Sequence, residues 1–179
     1  MRRPTLALLA LITLGACSEG DGIVEVAWQF DDARLERVFP QGERADTCEF
    51  SSASVRFNLV VRLRILENSA ACAADPNADD CAEVLAETFP CYRYRGTAET
   101  VPISATPEGD DDGYLMIVEA LIDPTDTPAF VPVSECIRSP GPRVRKVAPG
   151  RITDLELQQF IITQPDLTAG TADLDACRG

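Results

Sequence analysis

Val55-Arg56-Phe57-Asn58-Leu59-Val60-Val61-Arg62-Leu63-Arg64-Ile65-Leu66 alternates apolar and polar side chains almost without a break. Successive side chains of an extended chain point to opposite faces, so Val55, Phe57, Leu59, Val61, Leu63 and Ile65 share one face. Arg56, Asn58, Arg62 and Arg64 share the other. One apolar and one polar face is the pattern of a half-buried antiparallel strand. A helix needs a repeat near 3.6 residues and does not fit. The arginine row reads as a solvated sheet face.

The same pattern extends in both directions. In residues 23–30, Val24, Val26, Trp28 and Phe30 fall together, opposite Glu25 and Gln29. Residues 92–95 alternate until Gly96. Residues 99–104 predict a short strand that Pro102 confines to an edge or bulge. Residues 113–122 are apolar on both parities, as a central strand is. Residues 129–133 and 143–148 are shorter candidates. Pro149-Gly150 suits the two central positions of a type II turn. It leads into residues 152–162, where Leu155, Leu157 and Ile161 are expected to face inward.

Helix signals are few. Asp80 is placed to cap a helix over residues 81–89 that Pro90 ends. Residues 32–39 allow a turn or two of helix before Pro40. The pattern predicts an all-β fold: an antiparallel β-sandwich, immunoglobulin-like or transthyretin-like, with seven or eight strands and one or two short helices. A membrane barrel fits less well, because an arginine facing lipid costs about 2–4 kcal/mol near the midplane.

Ahead of the strands stand Arg2, Arg3, an apolar run over residues 6–14, and Leu14-Gly15-Ala16-Cys17. A positive start, a short apolar run and small residues before a cut define a secretory signal. This nine-residue run falls short of the roughly 20 residues that span a bilayer. Together these features resemble a bacterial lipoprotein signal peptide closed by its lipobox. The resemblance covers about the first 18 residues and implies export, cleavage before Cys17 and a diacylglycerol thioether on its sulfur, with palmitate-type acyl chains. Ser18, next in line, implies an outer-membrane lipoprotein facing the periplasm or the cell surface. The division expected is a signal peptide over 1–16, a lipidated tether over 17–22 and a single sandwich domain over 23–179. At pattern level the domain resembles small sandwich domains of bacterial surface lipoproteins.

Cutting residues 1–16 from the 179 leaves 163, enough for one ordinary domain. Besides Cys17 there are six cysteines: Cys48, Cys72, Cys81, Cys91, Cys136 and Cys177. An even number in an exported chain predicts three disulfides. Cys72 and Cys81 flank a turn-rich stretch and can staple one loop. Cys136 and Cys177 can tie the C-terminal tail to the body. Cys48 and Cys91 then remain to join two strand starts. A zinc site is disfavoured, with no C-x-x-C pair and no histidine.

Sixteen basic residues face 29 acidic ones. An acidic surface repels nucleic acid and anionic lipid, so acyl chains would have to hold the protein to a membrane. The absence of histidine excludes Ser-His-Asp and Cys-His catalysis. Lys146 is the only lysine. No P-loop, G-x-S-x-G or G-x-G-x-x-G is present. These exclusions predict a non-catalytic binding or structural module of the envelope, with no cofactor and no metal. Its partners would be the membrane, through Cys17, and an envelope protein or glycan.

Two alternatives fit the same composition. A carboxylate-dependent enzyme acting on envelope glycans needs only two acids a few ångströms apart. A calcium-dependent adhesion module would use Asp75, Asn77 and Asp79, or Glu108 with Asp110, Asp111 and Asp112. The first set lacks the glycine and glutamate of an EF-hand: Asp80 and Ala86 stand at those positions. Both loops read better as solvated turns. The sharper local signal is Arg138, Arg143, Arg145, Lys146 and Arg151, five basic residues within fourteen of an acidic chain. They form a candidate site for an anionic partner, with internal pairing as the plainer expectation.

Overall fold

A computed structural model describes residues 20–39, 48–52, 55–103, 113–123 and 131–163. Cys17, Glu108, Asp110, Asp111, Asp112 and Cys177 lie outside them. Two sheets pack face to face. In the first, β1 (Asp21–Asp32) lies between β11 (Ile152–Ile162) on one side and β6 (Arg95–Pro102) with β2 (Arg37–Phe39) on the other. A two-residue strand, β9 (Ile137–Arg138), flanks β11. In the second, β4 (Val55–Glu67) and β7 (Tyr114–Asp123) form the antiparallel centre. β3 (Glu49–Ser52) and β5 (Glu83–Pro90) flank β4. β8 (Val131–Pro132) and β10 (Arg143–Arg145) flank β7.

The fold is the expected β-sandwich, with one departure: β1 and β11 pair in parallel. No hairpin links these two strands, which come from opposite ends of the described chain, so hairpin geometry does not force them antiparallel. Eleven strand segments are described, five of them four residues or shorter. Of these, β8 and β10 answer to the expected 129–133 and 143–148, whereas the short β2, β3 and β9 and the longer β5 (Glu83–Pro90) are additional to the expected strands.

One core fills the space between the sheets. Val24, Val26, Trp28 and Phe30 of β1 meet Leu59, Val61, Leu63 and Ile65 of β4 and Met116, Val118 and Ala120 of β7. Phe30 stacks on Phe160 at 4.7 Å, and Trp28 on Phe89 at 5.9 Å. The indole N–H of Trp28 donates to the Cys91 carbonyl at 2.8 Å. Pro102 ends β6, an outer strand of the first sheet, as its missing N–H requires.

Four local expectations are corrected. Residues 81–89 are not a helix: from Glu83 they form β5, pairing along β4 from Val60↔Pro90 to Leu66↔Glu83. Strand pairing there overrides local helix signals. The helix is instead α1 (Ala70–Ala74), capped by Ser69, whose Oγ accepts from the Cys72 amide. Residues 32–39 are not helical either. The Asp32 carboxylate accepts from the amides of Arg34 and Glu36, both at 2.8 Å, and Leu35 turns at φ 65°. Residues 92–95 are not a strand: a 3-10 turn over Cys91–Arg93 ends in Tyr94 at φ 54°. Leu157, expected inside, is 50% exposed.

That last miss has a clear cause. Glu25↔Asp154 is followed by Ala27↔Leu157, so β11 carries one residue more than β1 between those pairs. Glu156 takes up the slack at φ 62°. Such a bulge shifts the alternation by one. Leu155 faces in before it; Gln158, Phe160 and Ile162 face in after it, and all are buried.

The disulfides Cys48–Cys91 and Cys72–Cys81 are both formed. The first ties the start of β3 to the end of β5 rather than two strand starts. Cys136 is disulfide-bonded as well, and its expected partner, Cys177, lies outside the described residues. The Cys72–Cys81 loop lies on the outer face of the second sheet, over a small cluster of Leu66, Cys72 and Leu115. It also covers part of the arginine row expected to be solvated. Arg64 is 9% exposed and donates to Glu83, to Asn77 Oδ1 at 2.8 Å and to the Pro76 carbonyl at 2.9 Å. Arg62 pairs with Glu119, its register partner on β7. Among the described residues no helix is long and apolar enough to cross a membrane.

Candidate functional site

Arg143, Arg145, Lys146 and Arg151 come together around one turn; Arg138 does not join them. β10 carries Arg143 and Arg145 along the edge of the second sheet, and Lys146 follows it. The chain then crosses to the first sheet through Pro149 and Gly150. Gly150 stands at φ 62° and the Arg151 amide donates back to the Ala148 carbonyl at 3.3 Å, so the expected turn forms. Arg138 pairs with Ile161 at the far end of β11.

Each cation has a distinct setting. Arg143 is half-buried and bridges the two sheets, donating to the Leu155 carbonyl at 3.1 Å and to Glu156 Oε2 at 2.8 Å. It therefore pins the bulge of β11. Arg145 is half-buried and donates to the Val144 carbonyl at 3.1 Å. Lys146 and Arg151 are exposed. Three of the five exposed large apolar residues that are described, Val144, Ile152 and Leu157, lie on the same two strands. Alternation alone places Leu157 inside, so only the extra residue at Glu156 reveals its exposure.

The turn is pressed against the beginning of β1, which starts at Asp21 with Gly22 already buried. A Cβ at position 22 would lie 2.3 Å from Val147 Cγ1 and 3.0 Å from the Ala148 oxygen. The Ile23 amide donates to the Arg151 carbonyl at 3.3 Å, and the Gly150 amide to the Asp21 carbonyl at 3.5 Å. On the other side, Arg145 pairs with Tyr114. The Tyr114 hydroxyl donates to the Ile103 carbonyl at 3.4 Å. Burial, and then the nearby Glu67 charge, hold its pKa above the ordinary value.

Three other polar places lack the same openness to a ligand. A depression on the outer face of β6, β1 and β11 is lined by Glu25, Arg95, Thr97 and Asp154. Glu25 and Asp154 are register neighbours there, but Asp154 Oδ1 already accepts from the Glu156 amide at 2.7 Å. Asp31 is 2% exposed and takes the side-chain amides of Gln29 and Gln159 on Oδ2, while Oδ1 has no hydrogen-bond partner among the described residues. Its burial leaves no approach for a ligand. In the Asp75 loop, Asp75 Oδ1 accepts from the Asn77 amide, and Asn77 is held by Arg64. Among the described residues, no three His, Cys, Asp or Glu side chains are grouped to hold a metal ion.

Comparison with protein-family models, with curated proteins and with solved structures finds no match.

Proposed function

We propose that the protein is a lipid-anchored component of a bacterial outer membrane, acting as a non-catalytic binding or structural module. The observation that carries this reading is a lipobox-like Leu14-Gly15-Ala16-Cys17 four residues ahead of the first strand of a disulfide-stapled sandwich. Such stapling belongs to oxidising compartments outside the cytosol. The absence of histidine and of any nucleophile motif supports a non-catalytic role. The basic β10–β11 edge of this acidic domain would be its contact with an anionic surface.

Cross-linking in native envelopes, followed by identification of what is captured, tests the role. Capture of a defined envelope protein or glycan by the acylated chain is the expected result. Turnover of peptidoglycan or an envelope polysaccharide by the purified domain, abolished by changing one Asp or Glu with the fold intact, would replace it with an enzyme.

A further inference from the structure

The end of the sandwich nearest the tether gathers three cations, Arg145, Lys146 and Arg151, against two acids, Asp21 at the start of β1 and Glu67, which pairs with Tyr114 as Arg145 does. Cys17 precedes Asp21 by four residues, a reach of at most about 14 Å when fully extended. Asp21 and Ile23 are hydrogen-bonded to Gly150 and Arg151, and Gly22 packs on Val147 and Ala148. Anything that holds Cys17 in a bilayer therefore brings residues 145–152 close to the headgroups. Three of the chain's 16 basic residues, Arg145, Lys146 and Arg151, stand in that short stretch of a chain with net charge −13. A negative domain tethered tightly to a negative surface turns its positive end inward, since the interaction reaches only about 10 Å in ordinary salt. Ile152, 58% exposed, and Val144, 39% exposed, add apolar surface at the same place. The acids Glu25 and Asp154 lie two residues farther along their strands, about 7 Å away.

We propose that the 145–152 turn is the membrane-facing end of the domain, with Arg145, Lys146 and Arg151 resting on anionic phospholipid headgroups and Ile152 at the headgroup boundary. This rests on the reading of Cys17 as the lipid anchor. It fixes the opposite end of the sandwich, where Arg138 and Tyr92 lie, as the end presented to partners.

Lys146 is the only lysine, which makes the test direct. The acylated mature chain is placed in nanodiscs of phosphatidylcholine alone, or of phosphatidylcholine with phosphatidylglycerol. Each is treated with a neutral, water-soluble amine reagent, and Lys146 modification is read by peptide mapping. Labelling should be about fivefold slower on the anionic discs, the effect expected of one basic residue near such a surface. High salt should remove the difference, as should R145Q/R151Q at an unchanged melting temperature. Equal rates on both discs, in a wild-type chain whose mass shows the acyl group, would overturn the orientation and leave the anchor standing. That result would mean the turn is neutralised internally, by acids such as Asp21, Glu67 and Asp154. A wild-type chain without acyl mass would overturn both.

Discussion

A methyl group at position 22 has no room, because Val147 and Ala148 already occupy its place. Gly22→Ala should lower stability by about 1–3 kcal/mol, the usual cost of overpacking. Urea denaturation of the mature protein measures this, and an unchanged midpoint would mean that the 145–152 turn does not pack on β1. Tyr114 gives a pH signature. Its folded pKa is raised, so it favours the neutral phenol, and the unfolded chain ionises first as pH rises through about 10. The stability it contributes is whole below that unfolded value and is lost as pH climbs through the higher folded one. Tyr114→Phe should flatten the alkaline fall in melting temperature while leaving the neutral-pH dependence unchanged. An equally steep fall in the variant would assign it to other groups.

At the scale of the element, β11 shows what a sequence does and does not display. Its bulge holds one extra residue, so deleting Glu156 should leave Leu155, Gln158, Phe160 and Ile162 facing inward. Deleting Gln159 should turn Phe160 and Ile162 to solvent, since a one-residue slip inverts a strand. The first deletion should melt cooperatively and the second should not fold; the reverse order would contradict the register. β1, β4 and β7 were legible because one parity, or both, is apolar throughout. The phase change at Glu156 was not, because nothing in Asp154-Leu155-Glu156-Leu157 marks a left-handed backbone. β5 resembled a helix because Asp80 and Pro90 bracket it, and only pairing with β4 decides otherwise. Cys72–Cys81 was visible from its spacing, whereas burial of Arg64 beneath that loop depends on how the loop lies on the sheet. The basic residues of the candidate site were legible as a cluster. Their position beside Asp21 was not, since it comes from the parallel pairing of chain segments more than a hundred residues apart.

At the scale of the molecule, the two ends of the sandwich are unlike. One gathers the first residues of β1, the turn at Pro149 and Gly150, and three cations; the other carries Arg138 and the Cys48–Cys91 bridge. Reduction of the bridges should destabilise the whole domain, by roughly 2–4 kcal/mol for each one opened. Melting with and without reductant measures it, and identical curves would show that the bridges only decorate an independently stable core. The claim on which everything functional depends is that Cys17 carries the anchor. Intact mass spectrometry of the protein extracted from its native membrane tests that most directly. The account predicts a chain that begins at Cys17 and bears the mass of a diacylglycerol group. A membrane-bound chain with an unmodified Cys17, or one still carrying residues 1–16, would contradict it.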